Sequence, residues 1–185
     1  GSKKNGSFGV SGHVGRLAAY SGPSNTRYTD ESWGVAADWN LPFSDIFAVT
    51  GEAFIGQGLG GFQAGVFQGV NTDFAHIQGN AATADGIRAI STRGGWMQLA
   101  VTPRTKGNKL AFYGTVGLDD PDDADLTSVA SRDWRMRNLA FAGEVIYKFS
   151  PQFQMGVEVR RFDTRYRLSR RRTAEHINLA FAYSF

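Results

Sequence analysis

The residues of this chain that could do chemistry are charged side chains and three histidines, with no cysteine among its 185 positions. Without thiols it uses neither disulfides nor thiolate metal sites. Ser11 lies shortly before His13 and Ser184 shortly after His176, so each pair offers a hydroxyl beside an imidazole base. Alternate residues share a face in any strand, however, and no third group is spaced to orient either imidazole. Nor is there metal-ligand spacing around His13, His76 or His176. The pattern predicts a protein that is not an enzyme and needs no cofactor or metal.

The charges fall into three groups. Asp119, Asp120, Asp122, Asp123 and Asp125 form an acidic loop whose oxygens suit a hard cation. It lacks the glycine and terminal glutamate of a calcium loop, which favours a solvated loop or one paired with arginines. Arg160, Arg161, Arg165, Arg167, Arg170, Arg171 and Arg172 straddle a hairpin. They suit lipopolysaccharide phosphates or the steering of anionic solutes, or else form a solvated tip partly neutralised by the acidic loop. The third group, His13, Asp38, Glu52, Tyr113, Glu144, Lys148, Glu158 and Arg160, is scattered, and its meaning depends on the elements that carry it.

Those elements read as strands. Ile177, Leu179, Phe181, Tyr183 and Phe185 alternate with His176, Asn178, Ala180, Ala182 and Ser184, so one strand face is wholly apolar. The same alternation recurs at Phe8–Gly15, Ser32–Leu41, Phe47–Ile55, Met97–Thr102, Leu110–Asp119, Asn138–Phe149 and Phe153–Arg160. That makes about eight strands, each near the roughly 9–11 residues of a tilted membrane strand. Tight Pro-bearing turns follow at 41–45, 102–108 and 150–152, and longer polar loops at 22–31, 58–86, 120–135 and 168–175. Short turns on one side and long loops on the other is the outer-membrane barrel layout, with both chain ends on the short-turn side. The third polar group falls on the face opposite the aromatic one. In water a single closed sheet could not cover that aromatic face; lipid can, while closure satisfies the backbone. No apolar run reaches the 18 residues of a membrane helix, and a net charge of +3 makes no case for a nucleic-acid partner.

The fold expected is therefore all-β, an antiparallel up-and-down transmembrane β-barrel of about eight strands over residues 8–185. Residues 1–7 read as a cleavage scar or flexible terminus. Eight strands leave a lumen just filled by side chains, so the inward charges read either as a paired polar core or, in a wider barrel, as a pore lining. An isolated chain is expected to be closed, with Glu52, Glu144, Glu158, Arg160 and Lys148 plugging it. The 58–86 loop, with Phe62, Phe67 and Phe74, is expected to fold inward or over the mouth.

Several stretches, Gly94-Gly95-Trp96-Met97-Gln98-Leu99, Gly117-Leu118-Asp119-Asp120-Pro121-Asp122-Asp123-Ala124-Asp125-Leu126, Asn138-Leu139-Ala140-Phe141, Ser150-Pro151, Gly156-Val157-Glu158, Gly51-Glu52-Ala53-Phe54 and Gly58-Leu59-Gly60-Gly61, together resemble the C-terminal part of DcaP-like and related porins of Gram-negative bacteria. The resemblance implies passive uptake of small, often anionic solutes by a trimer of barrels about twice this length. It departs here in strand number. Phe181, Tyr183 and Phe185 look like the signal read by the barrel-insertion machinery. The function expected is a porin-like barrel, or the barrel portion of such a porin, in the bacterial outer membrane. Its expected partners are membrane lipid, lipopolysaccharide, the insertion machinery and further copies of itself. The alternatives are a closed structural or adhesive barrel binding through its loops, and, third, a lipid-modifying barrel enzyme.

Overall fold

The computed structural model describes residues 5–21, 24–73, 75–78, 81–84, 86–104, 109–128 and 132–185. Positions 1–4, Gly22, Phe74, most of the 102–108 turn and the side chain of His76, all invoked above, lie outside the described residues. The strands are β1 (Ser7–Ser21), β2 (Thr26–Pro42), β3 (Phe47–Gln57), β4 (Val70–Asn71), β5 (Ala75–Gln78), β6 (Ala81–Ala84), β7 (Arg88–Ala89), β8 (Ser91–Val101), β9 (Leu110–Pro121), β10 (Arg135–Lys148), β11 (Phe153–Tyr166) and β12 (Arg172–Tyr183). Eight of them form one antiparallel sheet in the order β1-β2-β3-β8-β9-β10-β11-β12. Each strand pairs with the next long strand in the chain, which is an up-and-down meander. The short strands pair within the 58–90 connector, β4 with β7 and β5 with β6.

The register decides which residues share a face. Cross-strand partners run Gly9, Asp38, Glu52, Trp96, Gly117, Ala140, Phe162, Ala174 across the whole sheet. A parallel row runs Phe8, Trp39, Gly51, Met97, Val116, Phe141, Arg161, Glu175. Because side chains alternate along each strand, the apolar runs of all eight strands fall on one face and the polar runs on the other. The apolar face is uncovered: Phe8, Val14, Ile55, Phe141, Val159 and Leu179 are all exposed on it.

Three expectations are corrected. Six of the eight long strands, at 12 to 17 residues, exceed the expected span, while β3 and β8 at 11 match it, because pairing in the longer ones continues beyond the apolar stretch into polar sequence. β1 and β2 pair as far as Ser21 with Thr26, and β12 begins at Arg172, so residues 26–31 and 172–175, expected in loops, belong to strands. The largest correction concerns closure. β1 and β12 stand at opposite ends of the sheet order and do not pair with each other, so the sheet is open. A physical reason is at hand: an eight-stranded barrel has a lumen filled by its own side chains, whereas here part of the 58–90 connector lies on the polar face.

The connector is seated by small residues and unusual backbone. Its first turn, Leu59–Phe62, is a 3-10 helix entered through Gly58 in the left-handed region, φ 69°. The Leu59 side chain lies over Gly34 and Gly56, where an added Cβ would sit 3.0 and 2.8 Å from it. Gln63, Val66 and Phe67 also take positive φ, at 67°, 50° and 63°, which for β-branched Val66 is a strained conformation. The hydrophobic cluster of buried residues, Ile90, Leu126, Trp134 and Met136, lies where this connector meets the 122–134 connector. Packing is thus concentrated at the long-loop end, not between two sheet faces.

Candidate functional site

The polar face carries all eight scattered residues together: His13, Asp38, Glu52, Tyr113, Glu144, Lys148, Glu158 and Arg160. The expected mutual neutralisation is not what joins them. Arg160 Nη2 lies 2.7 Å from Glu158, which also accepts a 2.9 Å bond from Asn178. Asp38 stands directly opposite Glu52, and Glu144 directly opposite Glu158 and Tyr113. Among the described residues Asp38, Glu52, Glu144 and Lys148 form no ion pair. On an open sheet, where Asp38 and Lys148 are exposed and Glu52 and Glu144 half-buried, the obligation to pair that a closed lumen would impose is removed.

His13 contributes structure. Its Nε2 meets Ser32 Oγ at 3.2 Å, and that hydroxyl donates to the Gly58 carbonyl at 3.3 Å. Its ring packs against Phe62, centroids 4.7 Å apart. The hydroxyl beside it is therefore Ser32 and not Ser11, and among the described residues no carboxylate bonds its other nitrogen. His176 faces Arg160 across β11 and β12 and meets Phe162 edge-on, while Ser184 lies beyond the end of its strand.

The acidic loop is dispersed over separate partners. Asp119 takes the backbone N–H groups of Gly65 at 3.1 Å and Val66 at 2.6 Å, and the Thr92 hydroxyl at 2.8 Å. Asp120 pairs with Arg93 at 3.6 Å, and Asp123 with Arg165 at 3.4 Å. Asp122 caps the 3-10 turn Asp123–Leu126 by accepting from Ala124. Asp125, with a side chain only 4% exposed, receives Arg88 Nε at 2.7 Å and the Ser91 N–H at 2.9 Å. Burial pushes its carboxyl up, but those donors outweigh it and hold it below the usual carboxylate value. Among the described residues no group of three or more acidic or histidine side chains could hold a metal ion.

The arginines are also divided. Arg167 donates to the Leu126 carbonyl, Arg171 grips Asp163, and Arg172 lies 5.2 Å from the Tyr166 ring. Arg165 is the link to the acidic loop, Arg161 pairs with Glu175 at 3.4 Å, and Arg170 at the hairpin end is exposed. Residues 160–165 belong to β11 and not to a hairpin tip.

The register also exposes a boundary that scanning single strands missed. On the apolar face the next outward residues toward the long-loop end are Arg16, Glu31, Gln57, Arg93, Asp120, Arg137, Arg161 and Glu175, one on each strand. At the short-turn end the same face carries aromatics. Tyr147 meets Phe149 at 4.8 Å, Phe149 stacks on Phe153 at 5.3 Å, and Phe153 lies parallel to Phe181 at 6.2 Å. Tyr183 is the next outward residue on β12, and Phe185 lies exposed past its end.

Between the connector and the polar face lies a cleft of about 590 Å³, lined by Glu52, Phe54, Phe62 and Trp96 beside His13 and Asp119. Comparison of the chain with protein-family models, with curated proteins and with solved structures yields no match. The likeness to porins therefore rests on the short motifs alone.

Proposed function

We propose that this chain forms part of the wall of a porin-like β-barrel in the bacterial outer membrane, a passive route for small solutes. The observation that carries the proposal is the apolar band. All eight long strands present it on one face, a row of charged and polar residues ends it on one side, and aromatics gather on the other. Along β10 and the residue just past its end, it runs from Leu139 to Phe149, which at about 3.3 Å per residue and a tilt of roughly 40° covers about 25 Å, the height of such a band in outer-membrane barrels. Among the described residues no second layer covers it, and a surface of this kind is stable against lipid.

The seating of the 58–90 connector on the opposite, charged face supports a pore over a solid barrel. A wall that folds a loop onto its own concave side needs a wider lumen than eight strands enclose. Further strands, from additional chain or from other copies, then pair with β1 and β12, since free strand edges in lipid cost several kcal/mol per unsatisfied backbone group. The test is conductance of the full chain inserted into a planar bilayer. Discrete conductance steps are expected. A bilayer that stays silent while protease protection shows the protein to be inserted would contradict a pore.

A further inference from the structure

We infer that the cleft between the 58–90 connector and the polar face accepts small organic cations, and that Glu52, supported by Asp38, is the group that selects them. This deepens the porin reading by naming a solute class, and it takes from that reading only that the cleft lies on the solute path. It also runs against the anionic solutes that the resemblance implied.

The cleft has both halves of a cation site. Its apolar half is aromatic: Phe54 and Trp96 come from adjacent strands of the wall, and Phe62 comes from the connector. Aromatic faces attract cations through their quadrupole, most strongly where water is partly displaced. Phe54 lies close over Gly94, where an added Cβ would be 2.6 Å from its ring. Trp96 remains 42% exposed although it lies on the face that the connector partly covers.

The charged half is carboxylate. Three acidic residues stand in or beside the cleft, and the structure separates their roles. Asp119 is consumed by two connector N–H groups and Thr92, so its charge fixes the connector in place. Glu52 lines the cleft and Asp38 stands opposite it one strand away. Like charges directly opposed across strands destabilise a sheet. Among the described residues neither carboxylate is in an ion pair, and Arg93, the arginine nearest in the wall, is engaged by Asp120. The strand cations of this face lie on the far strands: Lys148 on β10, Arg160 on β11, where Glu158 already occupies it, and Arg172 on β12, over the Tyr166 ring. His13 is turned toward Ser32 and Phe62. The uncompensated negative potential is thus local to the aromatic cleft.

Trp96 reports on the cleft directly. Of the four tryptophans, Trp134 is buried, and Trp33 and Trp39 lie on the apolar face. The experiment is quenching of tryptophan fluorescence in the full chain folded into neutral lipid vesicles, with the dication methyl viologen, neutral acrylamide and iodide. In the wild-type protein at low ionic strength, focusing by the acidic pair is expected to raise the viologen quenching constant roughly tenfold over that of D38N/E52Q. Acrylamide quenching should match in the two proteins, which also shows that the variant is folded, and iodide quenching should rise in the variant. The single E52Q variant should fall between, and W96F should lose the viologen effect. Equal viologen quenching in wild type and D38N/E52Q would overturn the inference, as would a viologen effect that survives W96F. Neither result depends on conductance, so a silent bilayer and an unselective cleft are separate failures.

Discussion

Asp125 shows how one side chain can hold the long-loop end together. It lies in the 3-10 turn Asp123–Leu126, beside the fully buried Leu126, and faces a connector distant in sequence. Its two oxygens meet Arg88 and the Ser91 N–H, while its carbonyl, with that of Thr127, accepts from buried Asn71. Removing its charge strands those donors, so Asp125→Asn is expected to cost about 1–3 kcal/mol at pH 7. Its pH dependence has a definite sign. The folded state holds the carboxyl below its ordinary 3.8, so the contribution is whole above that value and is lost as the pH falls through the lowered one. Thermal unfolding in lipid at pH 7 and in the acid range below 4 should show wild type and variant converging as the pH drops. A gap that widens with acidity would contradict this. The acidic run was visible in the sequence, but its partners were not: Arg88, Ser91, Gly65, Val66 and Thr92 come from another connector or strand and carry no local signal at 119–125.

At the scale of elements, alternation within each strand and register between strands gave different amounts of information. Period two placed Leu179 opposite in facing to Asn178 and Phe141 opposite to Ala140, and the sheet keeps both assignments. Leu179→Arg or Phe141→Arg is therefore expected to block insertion or cost about 2–4 kcal/mol near the midplane of a bilayer. Asn178→Arg should cost far less, because it projects from the polar face. Equal penalties in reversible unfolding from lipid would refute the facing. Strand ends were less legible. At Arg16–Ser21 with Thr26–Glu31 the chain stays paired although the outward residues now include Arg16, Arg27, Thr29 and Glu31. Hydrophobic alternation marks only the apolar span, and backbone pairing can outrun it. Gln68 shows another hidden device: its side-chain amide accepts from the Arg135 N–H at 3.0 Å and donates to the Arg135 carbonyl at 2.8 Å. It thereby replaces a strand partner at the irregular start of β10.

For the whole molecule, the unusual feature is where packing is absent. The buried hydrophobic cluster sits among connectors at one end, while among the described residues the apolar face from Phe8 on β1 to Tyr183 on β12 stays exposed. The all-β class and the meander were legible because strand periodicity and turn residues recur along most of the chain. Closure was not legible, because it depends on curvature and on the pairing of β1 and β12, and neither leaves a mark in alternation. The open order leaves both edge strands available, and the connector on the polar face argues for a wall wider than eight strands. The central claim is that lipid covers the face of Phe153, Met155, Val157 and Val159 and water the face of Gln154, Gly156, Glu158 and Arg160. It is tested most directly by placing a nitroxide label at each position from 153 to 160 of the full chain in lipid vesicles and measuring its accessibility to oxygen and to a water-soluble nickel complex. The expected result is a period of two, with oxygen favoured at the odd positions and nickel at the even ones. Accessibility to nickel at every position, or no alternation at all, would contradict it.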